Sequence, residues 1–251
     1  MKVVVIGGTG LIGSKVVSRL GEHGHQAVAA APNTGVNTLT GEGLAEALAG
    51  ADVVIDVSNS PSFEDAAVLE FFKTSTGNVI AAEKAAGVSH HVALSVVGTE
   101  RRPDIGYFRA KIAQEQLIEK SSIPFSLVHA TQFYEFVPRI ADEANDGTVV
   151  RIAPVAFQPM AGDDVARLVA RTAVGTPLGG RVDVAGPDEY RMDEFFRHAL
   201  AARNDPREVV TDPHARYFGA ELEDRNLVPA GDAVLGDIRY DDWAGLTATR
   251  K

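Results

Sequence analysis

The chain has 251 residues, 45% of them hydrophobic, a formal net charge of −10 at pH 7 and no cysteine. That length suits one large core, or a core with a smaller lobe, and the missing cysteines exclude disulfides, thiolate catalysis and cysteine-held metals. The acidic balance, with no Lys/Arg tract, argues against nucleic acid or a membrane as the main partner; without a leader or an apolar run of about 18 residues, a cytoplasmic protein is expected.

The run VVVIGGTGLIG from Val3 to Gly13 puts a β-branched strand in front of a turn with Gly7, Gly10 and Gly13 in G-x-x-G-x-x-G spacing, and SKVVSRLGEHG then reads as a helix. Gly7 lets the chain leave the strand tightly, Gly10 lets backbone approach a phosphate, and Gly13 packs the helix onto the sheet. The helix N-terminus adds free N–H groups and a positive dipole end, so this run is expected to hold a dinucleotide pyrophosphate. HQAVAAA (25–31) is the second predicted strand, PNTGVNTLTG a turn-rich segment, and 44–48 a short helix. Residues 51–58 form a near-continuous apolar strand, suited to a sheet covered on both faces, that stops at SNSPS.

A helix over about 63–86, a strand over 88–97, a helix over 106–120 and a strand over 124–130 follow. This alternation predicts an α/β fold with a doubly wound parallel sheet and right-handed crossovers. Further on come a helix-like FYEFVPRIADEA, a short strand at VVRIA, a helix over about 164–174, a strand at RVDVAG returning to the sheet, a helix near 192–202 and a loop-rich tail. The expected division is a dinucleotide-binding core, 1–153, and a smaller substrate-capping lobe, 154–251.

Tyr107 and Lys111, in Y-F-R-A-K at the start of a predicted helix, lie on one helical face, so a phenol and an ammonium can address one ligand. Bringing a phenol from a pKa near ~10 into the neutral range takes roughly 3–4 kcal/mol. A lysine cation and the positive ring of an oxidised nicotinamide can supply it. Ser95, twelve positions upstream, sits at the carboxyl end of its strand, the edge at which open α/β sheets bind ligands. An exposed residue pair with an incidental serine is the plain alternative.

Other residues fall on the same edge. The second strand ends in Ala30, Ala31, Pro32, Asn33 and Thr34, with neither the acid that favours NAD nor an arginine. Without the acid nothing repels a 2′-phosphate, which Asn33, Thr34 and Lys15 could reach, so NADP is favoured over NAD. Ser58, Asn59 and Ser60 can touch a cofactor ribose, or simply end a strand. Gln132 and Phe133 are expected to line the nicotinamide or substrate, with Tyr134 and Phe136 making the pocket partly apolar, and His129 to be a packed histidine. Asp163 and Asp164 read as an N-cap, and His90 and His91, on opposite faces of a strand, as a poor metal pair; no metal is expected. His214, Tyr217 and Arg239 are substrate candidates by position alone.

GGTGLIG, a strand ending in Ser95, and YFRAK a dozen residues later together resemble the short-chain dehydrogenase/reductase family. The opening run most resembles its atypical, NmrA-like branch, which includes NAD(P)H-dependent quinone and isoflavone reductases and non-catalytic redox sensors. The resemblance runs to about residue 165. It implies Tyr107 as general acid/base, Lys111 as the residue that binds the nicotinamide ribose and lowers the tyrosine pKa, and Ser95 as the substrate-orienting hydroxyl. It also implies that Gly7, Thr9, Gly10, Leu11, Ile12 and Gly13 cradle the cofactor. Relatives often carry an arginine in the place of His129, and many NmrA-like proteins lack the tyrosine, so its presence here tilts the balance from sensor towards enzyme. The expected activity is NAD(P)-dependent reduction of a small-molecule carbonyl or quinone, or oxidation of the alcohol. A non-catalytic sensor, and an epimerase or dehydratase in which hydride leaves and returns, remain the alternatives, and the oligomeric state is open.

Overall fold

The structure, a computed structural model, describes residues 1–248. KVVVI forms β1 (Lys2–Ile6), buried from Val3 onward because a strand covered on both faces needs apolar side chains on both. Then come α1 (Leu11–Glu22), β2 (Gln26–Ala30), α2 (Leu44–Leu48), β3 (Val53–Asp56), α3 (Asp65–Ala86), β4 (His90–Val96), α4 (Gly106–Glu119) and β5 (Phe125–Ala130). They are followed by α5 (Val137–Glu143), β6 (Val150–Ile152), β7 (Ala156–Phe157), α6 (Gly162–Val174), β8 (Gly180–Ala185), β9 (Tyr190–Arg191) and α7 (Met192–Ala202). The chain continues with β10 (Val209–Thr211), β11 (Arg216–Tyr217), β12 (Ala220–Glu221), β13 (Val234–Leu235) and α8 (Tyr240–Ala248).

Seven strands make a parallel sheet in the order β13-β8-β5-β4-β3-β1-β2, a Rossmann-type α/β fold. From β1 the chain first goes to one side, to β2, and later to the other, to β3. The carboxyl ends of β1 and β3 therefore flank a topological switch point, the place where such sheets bind ligands. Register puts Ile6 beside Asp56 there, so the turns after both strands start side by side.

Two compact units emerge: Met1–Ala130 with Val165–Val182, and Thr131–Asp164 with the chain from Asp183 on. The chain thus crosses between units three times, where a single boundary near 153 was expected. The cause is α6, whose Val165, Leu168, Val169 and Ala173 form a buried apolar stripe, and which from Val165 on belongs to the first unit. In the first unit Val4, Ile6, Leu44, Leu48, Val54 and Val79 pack as one apolar cluster. The second unit has an aromatic core, with Tyr134 edge-on to Tyr240 at 5.1 Å and Phe195 edge-on to Tyr240 at 4.8 Å.

The tail, read as loop, holds short strands and α8, where Tyr240 and Trp243 are buried. Asp164 is not an N-cap: it lies within the first turn of α6, and its Oδ2 accepts the backbone N–H groups of Asp237 and Ile238 at 2.9 and 2.8 Å. His90 meets Ser126 Oγ at 2.9 Å and His91 meets Glu83 at 2.6 Å. Among the described residues no group of three or more His, Asp or Glu could hold a metal ion, and no helix is long and apolar enough to cross a membrane.

Candidate functional site

The first unit gathers most of the expected residues around the switch point. Gly7 turns the chain out of β1 at φ +76°, and its N–H donates to Ala30 O at 2.9 Å. A Cβ there would lie 2.8 Å from Ser58 Cα, so the turn after β1 touches the turn after β3 with no room for a side chain. At Gly13 a Cβ would lie 2.1 Å from Gly7 O, which lets α1 seat on the turn. Gly10 differs: a Cβ would meet only Gly7 O, at 3.3 Å, so this face of the turn is open. Gly10 is also the N-cap of α1, which has no side-chain cap and no acid in its first turn. An open glycine face in front of uncapped N–H groups fits a pyrophosphate. Leu11 is exposed, whereas Ile12 and Gly13 are buried. Gly8 was not singled out from sequence, yet a Cβ there would lie 2.6 Å from Val5 O.

At the end of β2, Thr9 Oγ1 donates to Asn33 Oδ1 at 3.0 Å, which leaves the Asn33 amide N–H groups for a ligand. Thr34 is not available in the same way. Its hydroxyl oxygen accepts the Ala31 N–H at 2.9 Å and lies within reach of the Ala29 and Ala31 carbonyls, so it closes its own turn.

After β3 the polar groups interlock. Asp56, 1% exposed, accepts the Ser58 N–H at 2.9 Å and the Ser58 hydroxyl at 2.6 Å through Oδ1, and the Gln114 amide at 2.9 Å through Oδ2. Asn59 Oδ1 accepts the Ser60 N–H at 3.0 Å and the Tyr107 hydroxyl at 3.1 Å. Tyr107 packs between Phe63, stacked at 5.7 Å, and Phe72, edge-on at 6.0 Å.

Tyr107, Lys111 and Glu115 fall at i, i+4 and i+8 on α4. Lys111 is 2% exposed, and Nζ donates to Leu94 O at 2.8 Å and to Gln114 Oε1, with the Phe72 ring centre 4.4 Å away. Those three groups match its three N–H bonds, so the structure turns Lys111 inward, where a contact to ribose was expected. Ser95, also 2% exposed, donates its proton to Glu115 Oε1, and His129 Nε2 lies 3.3 Å from the same oxygen. Asp56, Gln114 and Glu115 were not singled out from sequence. Glu115 alone carried a signal, being four residues beyond Lys111.

Burial pulls the Lys111 ammonium down to about 8, against the opposing pull of Asp56 and Glu115. The folded chain then releases this proton near pH 8, whereas the unfolded chain keeps it to ~10.5, so between those values the unfolded state binds more protons. Stability from this group therefore rises with pH across that window. Denaturant melts of wild type and Lys111→Met should diverge in favour of wild type by about 1.4 kcal/mol per pH unit between pH 8 and 10. A constant difference would show that Lys111 is not held in a charge-disfavouring site.

In the second unit Gln132 is 7% exposed with neither amide atom partnered, and Phe133 stacks on Phe136 at 5.3 Å. Tyr134 is core rather than pocket: it is fully buried, donates to Ile238 O at 3.2 Å, and burial pushes its phenol far up. Arg239 pairs with Asp188 at 2.6 Å, and the exposed His214 meets Glu221 at 3.4 Å. Tyr217 lines a shallow cavity with Ile140, Arg151, Met192, Phe218 and Leu222.

Residues 7–174 match a family described as NAD(P)H-binding. The chain is similar to the photosystem II assembly factor Ycf39 of Cyanophora paradoxa, with 24% identity over 201 residues, 72% of this chain and 62% of that protein. It spans about three-fifths of the length of the curated relatives it matches. Among solved structures it is similar to DesIV, a dTDP-glucose 4,6-dehydratase from Streptomyces venezuelae solved with NAD, at TM-score 0.72 and 16% identity over 99% of this chain and 95% of that one. It is also similar to a UDP-N-acetylglucosamine 4-epimerase from Bacillus cereus, at TM-score 0.68 and 18% identity over 84% and 85%. These two likenesses are of fold. The match over most of the chain, with an open glycine cradle at the switch point, makes this protein a member of the NAD(P)H-binding family.

Proposed function

We propose that the protein is an NAD(P)-dependent oxidoreductase that reduces a carbonyl or quinone, or oxidises the corresponding alcohol. One observation carries this reading. The Tyr107 hydroxyl bonds to Asn59, next to Ser58, whose backbone packs against Gly7, so a proton-carrying phenol stands at the turn that borders the cofactor cradle.

In this reading Gly7, Thr9, Gly10, Leu11, Ile12 and Gly13 hold the pyrophosphate, and Ser58, Asn59 and Ser60 meet the ribose. Asn33, at a strand end with no acid, leaves room for a 2′-phosphate and favours NADP. When bound, the nicotinamide supplies or takes the hydride. Tyr107 gives a proton to the substrate oxygen in reduction and takes it back in oxidation, and Ser95 orients that oxygen. Lys111 contributes its field from inside, through Gln114 and Asp56, rather than by contact. Gln132 and Phe133 are the second unit's candidates for substrate contact, and the unpartnered Gln132 amide is the stronger of the two.

A second reading is favoured by the neighbours named as a dehydratase and an epimerase: hydride that leaves the substrate and returns to it. The deciding experiment presents ketones and quinones with 4-deuterated NADPH and, side by side, NADH. Nicotinamide absorbance and, for ketones, deuterium at the carbinol carbon are followed. Deuterium in the product, with NADPH bound more tightly than NADH, is expected. Tight cofactor binding with neither signal across the panel overturns net reduction and leaves the sensor or the internal-return reading.

A further inference from the structure

A serine hydroxyl has one proton, and at the ligand edge of the first unit two serines have theirs committed to carboxylates, the buried Asp56 and the half-buried Glu115. Ser58 donates to Asp56 at 2.6 Å, and Ser95 donates to Glu115. An ionised carboxylate can only accept, so the direction of such a bond is fixed as long as the acid stays charged. Burial works against the Glu115 charge, but the His129 contact, the Ser95 hydroxyl and the Lys111 cation more than offset it and hold the carboxyl below its ordinary range. His129 and Ser95 are 1% and 2% exposed, and the Glu115 side chain between them is 14% exposed. Ser95 Oγ is thereby left with lone pairs and no proton to offer a ligand. Tyr107 differs, because its proton goes to the neutral amide oxygen of Asn59 and can be exchanged with a substrate.

We propose that Glu115 is a positioning residue: by taking the Ser95 proton it turns Ser95 into an acceptor, so that the site holds its substrate as a secondary alcohol in preference to the corresponding ketone. An alcohol oxygen brings the proton that Ser95 lacks, whereas a ketone oxygen would set lone pairs against lone pairs. This inference rests on the oxidoreductase reading above. It adds a direction to it, with the hydroxyl compound as the species the resting site receives.

The test uses the whole protein loaded with 1,4,5,6-tetrahydro-NADP, which cannot exchange hydride, with cyclohexanol and cyclohexanone as probes and ligand-observed NMR as the readout. Wild type should bind the alcohol more tightly than the ketone by about tenfold, the worth of one hydrogen bond made against one denied. Glu115→Leu, which removes the acceptor and frees the Ser95 proton, should abolish that preference while dinucleotide affinity stays unchanged. Ser95→Ala should flatten the ratio equally, and the double variant should add nothing. If Glu115→Leu fails to fold, Glu115→Gln, whose amide offers either polarity, should give an intermediate ratio, and an unchanged ratio there counts against the proposal. Binding of neither probe to the loaded protein overturns the oxidoreductase reading and this inference with it. Binding of both at a ratio that Glu115→Leu does not move, or a wild-type preference for the ketone, overturns this inference alone.

Discussion

Under the proposed oxidoreductase function, Tyr107→Phe should lower substrate-dependent cofactor turnover by about 10²–10⁴-fold and leave dinucleotide affinity and folding near wild type. The substitution isolates the proton. A phenylalanine keeps the stack on Phe63 and the edge contact with Phe72, so the packing around the ring survives. What disappears is the hydroxyl and its bond to Asn59 Oδ1. That bond lies in an exposed setting, so its loss should cost no more than about 1 kcal/mol of stability. Steady-state kinetics beside a thermal melt separate the outcomes. Full turnover in the variant would remove Tyr107 from the chemistry, and a collapse of dinucleotide binding would make it a structural residue instead.

Gly13→Ala should cost about 1–3 kcal/mol of stability and weaken the dinucleotide by about 10²-fold or more. The added carbon would meet Gly7 O at 2.1 Å, Gly8 Cα at 2.7 Å and Gly7 C at 2.8 Å. All three are backbone, so no side chain can swing away, and helix and turn must part by an ångström or so. The N–H groups at the start of α1 then no longer converge on one anion. Gly21, in the same helix, is the control, because a Cβ there meets nothing within 4 Å. Gly21→Ala should leave cofactor affinity alone and stabilise by about 0.5–1 kcal/mol. Equal effects at the two positions would show that Gly13 is not a packing point.

The features readable from sequence were those with a local cause. The strand-turn-helix at Gly7 to Gly13 announces itself by β-branching and glycine spacing. The helix expected over 106–120 is observed at Gly106–Glu119, a run in which Ala, Gln, Glu, Lys, Arg and Leu dominate and no proline intervenes. What was not readable depends on residues far apart in the chain. Lys111 looked able to reach a ribose, yet its donors are taken by Leu94, Gln114 and Phe72, which only the fold assembles. Thr34 looked free until its own turn claimed the hydroxyl. The helix at Tyr240–Ala248 escaped because, among its described side chains, Tyr240 and Trp243 alone are buried, too few to mark a periodic face. The single boundary at 153 missed the return of α6, since pattern tells which face of a helix is apolar and not which sheet will cover it.

That return bears on how the protein is made. Strand β5 has β8 as its neighbour, and Leu178 and Gly179, just ahead of β8, bond to Ser126 and Phe125 at 3.0 and 2.9 Å. A ribosome delivers β5 first and must then translate the whole of 131–179, α6 included, before the partner strand emerges. For that interval the nascent chain carries a bare, apolar sheet edge, the kind of surface that pairs with a second copy or recruits a chaperone. Shortening the chain to its apparent N-terminal half would make that transient exposure permanent.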